Sequence, residues 1–462
     1  MLLQKSYYKS NFSLALPIIL SSLGQSFTQM IDTIMVGRLG ATELAAVAFA
    51  SNVAMNVLVF GMGIAMALTP LTGQSFARGE HKRIGLLFQN SLVLNTLMSI
   101  SIIGLLFLLY PFLNSFGQPE EVIEACKPYY IIIAFSFFPS LLFLTFKQFL
   151  EGVGNTKYAM IITIAANIIN IILNYILIYG KFGAPALGIV GAGLATLIAK
   201  ILMPIAFFFT VYFHKKYRKY FCFFSWRETT LYSQKIILRL GLPIAGQMFL
   251  EFAALLIITI MMGWVNKYTL AGYHIVMSIV SMTFLVSTGI GSAATVLISH
   301  EFGRRNIPEI RKHFRASTQM VLLIMSISAI VLISLRRPIA MIFTSDANVI
   351  EVATVLFIVA GIFQLIDGMQ IVHLGALRGI NDVAKPMRYA FISYILIALP
   401  FAYICGFVFN IGYWSIFAGF SVGLFVASIL YNRRLNNRLR WHCKNFERLE
   451  ELKKSELGAI DL

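Results

Sequence analysis

Charge is what this sequence has least of. Only 12% of its 462 residues are Asp, Glu, Lys or Arg, roughly half the usual share of a soluble domain. With 58% hydrophobic residues and a mean hydropathy of +0.79, a water-soluble globular fold is excluded. Cysteine is scarce too. Cys126, Cys222, Cys405 and Cys443 stand apart without CxxC or His-linked spacing, so neither a disulfide framework nor a zinc site is indicated. The first apolar run carries Pro17 and Asp32 and lacks a small-residue cleavage site after a short apolar core, so it reads as a retained helix and not a signal peptide. No GxGD motif occurs, which removes the signature of an intramembrane aspartyl protease.

What is present is apolar sequence in long runs. A hydrocarbon core of ~30 Å needs about 20 residues of helix. Runs of that length recur at 11–36, 44–76, 82–112, 121–150, 156–180, 187–213, 236–263, 268–301, 314–336, 347–377, 388–408 and 411–432. They predict an all-α polytopic membrane protein with twelve transmembrane helices. The net charge of +17 could suggest nucleic acid, but its distribution argues otherwise. If the N-terminus is inside and the chain alternates, the basic clusters at 78–83, 214–239 and 304–315 and the tail from Arg433 all face the cytoplasm. Arg38, Lys127, Lys181, Lys267, Arg336 and Arg337 fall outside. That bias sets both termini in the cytoplasm and matches topology determinants that touch anionic lipid, not nucleic acid.

The chain also repeats itself. At a constant offset of 226, LALPI matches LGLPI, IDTIMVG (31–37) matches IITIMMG (257–263), and Phe76 and Arg78 fall on Phe302 and Arg304. After a slip of one residue, VIE (122–124) falls on VIE (349–351) and LEGVGN (150–155) on LRGIND (377–382). Two six-helix, pseudo-symmetric lobes are therefore expected at 1–213 and 236–435, joined by a basic linker at 214–235 and followed by a charged tail at 436–462. Six spans per copy preserve orientation, so the expected axis lies along the membrane normal, with binding sites near mid-membrane. Pro17 and Pro243 occupy equivalent points and each invites a bend.

Against this background three carboxylates interrupt apolar helices: Asp32, Glu251 and Asp367. A charge at bilayer depth costs at least a few kcal/mol and commonly marks an ion or substrate pathway. The repeat pairs Asp32 with Ile258 and Glu251 with Gln25, so no acid is duplicated. Gln25, Gln29 and Asp32 share a helical face, as do Asn167, Asn170 and Asn174. With Thr196 these supply hard oxygen ligands, suited to an alkali cation or to a hydrogen-bond network. Interhelical polar contacts worth roughly 1 kcal/mol each are the plainer alternative.

In the second half Glu251 follows Gln247 by one turn, and Gln364 and Gln370 flank Asp367. A carboxyl so placed can hold a proton or a cation and exchange them, which makes Na⁺ at Glu251 and Asp367 an expectation. Lys200 stands near the middle of its span, about 20 Å from the helix end, too far to snorkel. It is expected either to pair with a carboxylate or to face a cavity. His274 and His373 are expected as satisfied core residues. The many Phe and Met residues fit an apolar cavity that tolerates varied ligands.

Three segments together resemble the multidrug and toxic compound extrusion (MATE) family, in its NorM-type branch: LPIILSSLGQSFTQMIDTIMVGRLGATELAAVA, GLPIAGQMFLEFA and FQLIDGMQIVHLGALRGINDVAKP. The resemblance covers about residues 10–435. It implies two six-helix lobes around a V-shaped cavity and export of organic, mostly cationic, drugs in exchange for Na⁺ or H⁺. Position by position it implies that Glu251 and Asp367 form the C-lobe cation site and Asp32 the N-lobe acid, with Asn170, Asn174 and Thr196 beside it. This chain has Asn174 where the motif often ends in Asp, and Phe363 where some relatives have Tyr, so hydroxyl ligation is absent there.

The expectation is thus a secondary antiporter working by alternating access. It is not an enzyme and has no cofactor beyond the coupling ion. It should be a monomer in the cytoplasmic membrane, meeting small organic cations, drugs and lipids. A lipid-linked oligosaccharide flippase of the same superfold would line its cavity with several Arg or Lys, where only Lys200 is available. An intramembrane protease would need two Asp brought together, but Asp32 and Asp367 lie in opposite halves. A passive channel would leave coupled carboxylates unexplained.

Overall fold

Backbone in hydrocarbon must satisfy its hydrogen bonds within its own segment, so long apolar runs become helices. The computed structural model describes residues 3–221, 223–225 and 229–458, with Asn56 and 447–458 described by their backbone alone. Among the described residues no strand occurs, and twelve helices are long and apolar enough to cross a membrane. Cys222 lies outside the described residues, as do Trp226, Arg227 and Glu228 of the linker and the last four residues of the tail.

The first half comprises α1 (Lys5–Gly37), α2 (Ala41–Met66), α3 (Leu68–Ala77), α4 (His81–Leu109), α5 (Glu120–Gly152), α6 (Lys157–Tyr179) and α7 (Gly188–Phe213). The run expected at 44–76 is interrupted at Ala67, which stays near helical angles, so α3 continues α2. A short helix, α8 (Lys215–Phe221), forms within the basic linker, its Tyr217 and Tyr220 buried and its basic residues exposed. Asn155 donates to the Tyr217 hydroxyl.

The second half comprises α9 (Leu231–Val265), α10 (Lys267–Gly303), α11 (Ile307–Ser334), the short α12 (Arg336–Phe343) and α13 (Ala347–Gly379). It continues through α14 (Ala384–Ala390), α15 (Leu399–Tyr403) and α16 (Tyr413–Gly458). The eleventh span alternates α-helical and wider π-helical turns, the latter at Phe391–Ala398 and Ile404–Val408. Each wider turn rotates the side chains that follow it relative to a regular helix, a device common near functional sites. The last span continues past the apolar run, because the tail is rich in Leu, Glu, Lys and Arg and has no internal breaker. Pro17 and Pro243 lie inside α1 and α9 without ending them.

By packing, the chain divides into a unit of Leu16–Phe249 and a unit of Met1–Ala15 with Leu250–Leu462. The division falls inside α1 and α9, so each repeat's first helix contributes to both. In the first unit, Gly241 and Gly63 let α9 approach α2 closely: a Cβ on Gly241 would lie 2.6 Å from the Ile64 Cα. Gln89 of α4 donates to the Ser225 carbonyl at 2.7 Å and to Thr229 at 2.8 Å. In the second unit the start of α1 is tied to α11: the Tyr7 hydroxyl donates to Glu309 at 3.2 Å and Ser317 donates to Asn11 at 2.8 Å.

Each unit has its own apolar core. The first is built on Tyr129, Tyr130, Phe137 and Leu141 of α5 with Ala46, Ala50 and Ala54 of α2. The second is built on Leu356, Phe357 and Phe363 of α13 with Phe417 and Phe420 of α16. Exposed Leu, Ile and Phe side chains along the helices suit a lipid environment, where apolar surface need not be hidden.

Candidate functional site

In the first unit the amide ladder on α6 turns inward. Asn167, Asn170 and Asn174 are all buried, and their spacing of three and four residues puts them in one row along the helix. Gly24 of α1 gives this row its approach, since a Cβ there would lie 3.4 Å from the Asn167 amide nitrogen. Asp32, two turns farther along α1, accepts a hydrogen bond from Asn174 Nδ2. With the Asn170 amide oriented so that both its atoms are satisfied, its nitrogen also donates to Asp32 Oδ1 at 3.2 Å, and its oxygen accepts from the Thr196 backbone N–H at 3.3 Å. One carboxylate therefore meets two amide donors. Hydrogen bonds to a charged acceptor are stronger than neutral ones, about 1.5–3 kcal/mol each.

Thr196, Gln29 and Lys200 are placed as follows. The Thr196 hydroxyl points back to the Ala192 carbonyl at 3.0 Å, so Thr196 reaches the cluster through its backbone. Gln29, expected on the Asp32 face, is exposed, while Gln25 is half-buried. Among the described residues Lys200 meets a hydroxyl and a ring, not a carboxylate: its ammonium group donates to Ser136 at 3.1 Å and lies 5.6 Å from the Phe137 ring centre.

In the second unit α13 carries the other site. Asp367 is only 4% exposed and lies twelve residues, ~18 Å, before the end of α13. It lies within the field of the Glu251 carboxylate of α9. Gln370, one turn farther on and fully buried, donates to the Tyr394 hydroxyl at 2.7 Å. Tyr394 sits on the first π-helical turn of the eleventh span and is itself buried, as is Tyr431 of α16 beside it. Gln364 accepts from Ser328 of α11 at 3.1 Å. Phe363 packs against Phe417 and Phe420, consistent with its lack of a hydroxyl.

His373 is buried and shares a hydrogen bond of 2.9 Å with Ser428 of α16, as expected of a core histidine. His274 is not: it is exposed, because α10 packs inward through Gly272, Tyr273 and Val276, leaving the intervening position turned out. Tyr394, Tyr431 and the half-buried Arg378 were not singled out from sequence. Only Arg378 carried a usable signal there, as a basic residue following an otherwise apolar α13 stretch in LRGIND.

The MatE family model matches residues 17–176 and 243–404, one match for each repeat. The chain belongs to the MATE family. Its relatives include the multidrug resistance protein NorM of Vibrio vulnificus (strain YJ016), 30% identical over 96% of this chain and 97% of that protein. The NorM of Vibrio parahaemolyticus is 31% identical over 95% of this chain and 96% of its own length. This MATE chain is thus of the NorM type.

Solved structures agree in fold. A multidrug resistance MATE transporter in an outward-facing conformation superposes with a TM-score of 0.87 at 19% identity, covering 95% of this chain and 97% of that one. A eukaryotic MATE transporter gives 0.84 at 19%, covering 95% and 99%. Against the family's fold, the two sites described above lie one in each unit, and each joins helices distant in sequence.

Proposed function

We propose that this MATE protein is a secondary multidrug efflux transporter of the cytoplasmic membrane, exporting organic, mostly cationic, compounds by antiport with Na⁺ or H⁺. Glu251 and Asp367 hold the coupling cation, and Asp32 with Asn170 and Asn174 forms a second polar site. The observation that carries this reading is the burial of Asp367 deep in α13 within the field of Glu251. A carboxylate buried like Asp367, in the field of a second one, resists carrying its charge. A proton or Na⁺ that enters relieves it, and a cationic substrate held by the same negative charge is then released. In alternating access the cation departs on the other side and the carboxylates recover their hold. The names of the NorM relatives support the choice of drugs as substrates.

The Asp32 site supports a part in the same cycle. Its donors are amides that stabilise the ionised carboxylate yet leave other oxygens, such as Asn174 Oδ1, available to a cation. The charge distribution supports cytoplasmic termini, and the paired family matches support two repeat-defined lobes. The test is cation-driven ethidium uptake into inverted membrane vesicles carrying Asp32→Asn, Glu251→Gln or Asp367→Asn at matched abundance. Each variant should lose cation-driven transport. Full transport in all three would defeat the proposal.

A further inference from the structure

The linker does not leave α7 freely. α8 begins two residues after α7 ends, and its sequence KKYRKYF sets Tyr217 and Tyr220 one turn apart on one face, with Lys215, Lys216, Arg218 and Lys219 around the rest. The tyrosine face is held by protein. Asn155 donates to the Tyr217 hydroxyl, and the Tyr220 ring meets Phe149 edge-on at 5.7 Å and His81 at 5.8 Å. The basic face is exposed. Three further residues lay the linker along the start of α4. Gly85 lets the α8 backbone come down onto α4, since a Cβ there would lie 2.5 Å from the Tyr220 carbonyl oxygen. One turn on, Gln89 donates to the Ser225 carbonyl at 2.7 Å and accepts from the Ser225 N–H at 2.9 Å. The Lys219 ammonium donates to His81 Nε2 at 3.2 Å, which brings α8 beside Lys82 and Arg83 on the first turn of α4.

Docking therefore gathers like charge. Segments 78–83 and 214–219 carry seven Lys and Arg against one acid, Glu80, a net charge of +6 with His neutral. Such self-repulsion opposes a compact arrangement unless an anion lies over it. The membrane boundary is at hand, because Phe209, Tyr212 and Phe213 on the last two turns of the membrane-spanning α7 are exposed, and Phe209 stacks on Phe213 at 5.8 Å. Exposed aromatics at a helix end sit at head-group level, so the basic face that follows at once lies there too. The repeat shows that the scaffold does not require this surface. At the offset of 226, Lys82 and Arg83 correspond to Pro308 and Glu309, and Gly85 and Gln89 to Arg311 and Arg315. The second half thus has an acid in place of Arg83 and bulky arginines in place of the linker's seat.

We propose that α8 and the first turn of α4 form one docking surface for the head groups of anionic phospholipids, and that these lipids hold the linker on α4. The lipid phosphates offset the charge that docking gathers, while Tyr217, Tyr220, Gly85 and Gln89 fix the geometry that presents it. An amphipathic segment with aromatics beside a cluster of Lys and Arg is the pattern that an anionic membrane surface attracts. The surface lies wholly within the unit of Leu16–Phe249 and involves neither Glu251 nor Asp367. It stands whether or not the transport reading does.

Hydrogen–deuterium exchange of the full chain in lipid nanodiscs reads the effect at α8 itself, so basic residues elsewhere do not contribute. Peptides covering α8 should exchange about tenfold or more slowly when part of the phosphatidylcholine is replaced by phosphatidylglycerol, since each Lys or Arg near an anionic surface changes binding about fivefold. Raising the salt concentration should erase most of that difference. The combined variant Lys215→Gln, Lys216→Gln and Lys219→Gln should exchange alike in both kinds of disc, while Lys215→Arg, Lys216→Arg and Lys219→Arg together should respond as wild type does. Equal exchange of wild-type α8 in the two discs, or the same slowing in the Gln variant, overturns the proposal. Equal slowing by soluble glycerol phosphate in phosphatidylcholine discs also overturns it, because the ligand would then be a free anion and not a membrane.

Discussion

Gly375 offers a sharp test of how the second site is held. It lies on α13 two turns beyond Asp367, where α13 meets α10 at close range. A Cβ there would fall 3.1 Å from the Thr295 hydroxyl and closer still to the Gly291 carbonyl oxygen. An ordinary contact needs about 3.4 Å or more, so the helices must part by roughly 1 Å. Parting them also strains the hydrogen bond from Thr295 to the Gly375 carbonyl, now 2.9 Å. Overpacking costs about 1–3 kcal/mol and an interhelical hydrogen bond roughly 1 kcal/mol, so Gly375→Ala should lose about 2–4 kcal/mol of unfolding free energy. The assay is reversible unfolding in mixed micelles titrated with SDS. Gly104→Ala is the control, since no atom lies within 4 Å of a Cβ there. It should be neutral or slightly stabilising, because Ala favours helix over Gly. Equal stability of Gly375→Ala and wild type would refute the close packing of α10 on α13.

Further expectations follow from the contacts of the two sites. Asn174→Leu removes one of two amide donors to Asp32. At about 1.5–3 kcal/mol it should cut the efflux rate of reconstituted protein some tenfold or more while leaving abundance unchanged; an unaltered rate would count against the Asp32 cluster. Lys200→Met should keep transport within about threefold of wild type, since among the described residues Lys200 donates to a hydroxyl that itself donates to the Ile133 carbonyl at 2.7 Å. A loss beyond tenfold would give Lys200 a direct part in transport. Asp382 accepts from Arg434 at 2.7 Å and lies 3.3 Å from Arg438, pinning the α13–α14 turn to α16. Because both arginines are partly exposed, Asp382→Ala should lower stability by only about 1–2 kcal/mol, read as an earlier thermal midpoint in detergent.

The sequence carried what a single helix encodes about itself. Twelve spans were legible because lipid demands long apolar runs, and the Asn167, Asn170 and Asn174 row was legible because three and four residues make a turn. The inward face of Asp367 followed the same logic, whereas the meeting of Asp32 with Asn174 was implied only by the family resemblance. Which neighbour a face meets is a tertiary matter. Tyr394 and Tyr431 look like any aromatic in an apolar run until the π-helical turn and α16 bring them to Gln370. Nor does period alone say which way His274 points, since that is settled by where α10 packs on α13. Thr196 was expected through its hydroxyl, yet a threonine inside a helix can bond its own backbone, and here it does.

The central claim is that drug and cation move in opposite directions through this chain, coupled at Glu251 and Asp367. The most direct measurement reverses the usual assay. Proteoliposomes with equal Na⁺ and pH on both sides receive an ethidium gradient, and cation movement against it is followed with ²²Na⁺ and with a trapped pH indicator. Antiport predicts that ethidium flow drives Na⁺ or H⁺ the opposite way in wild type and not in Glu251→Gln or Asp367→Asn. Ethidium flow with neither cation moving, or with the variants moving cation as wild type does, would contradict it.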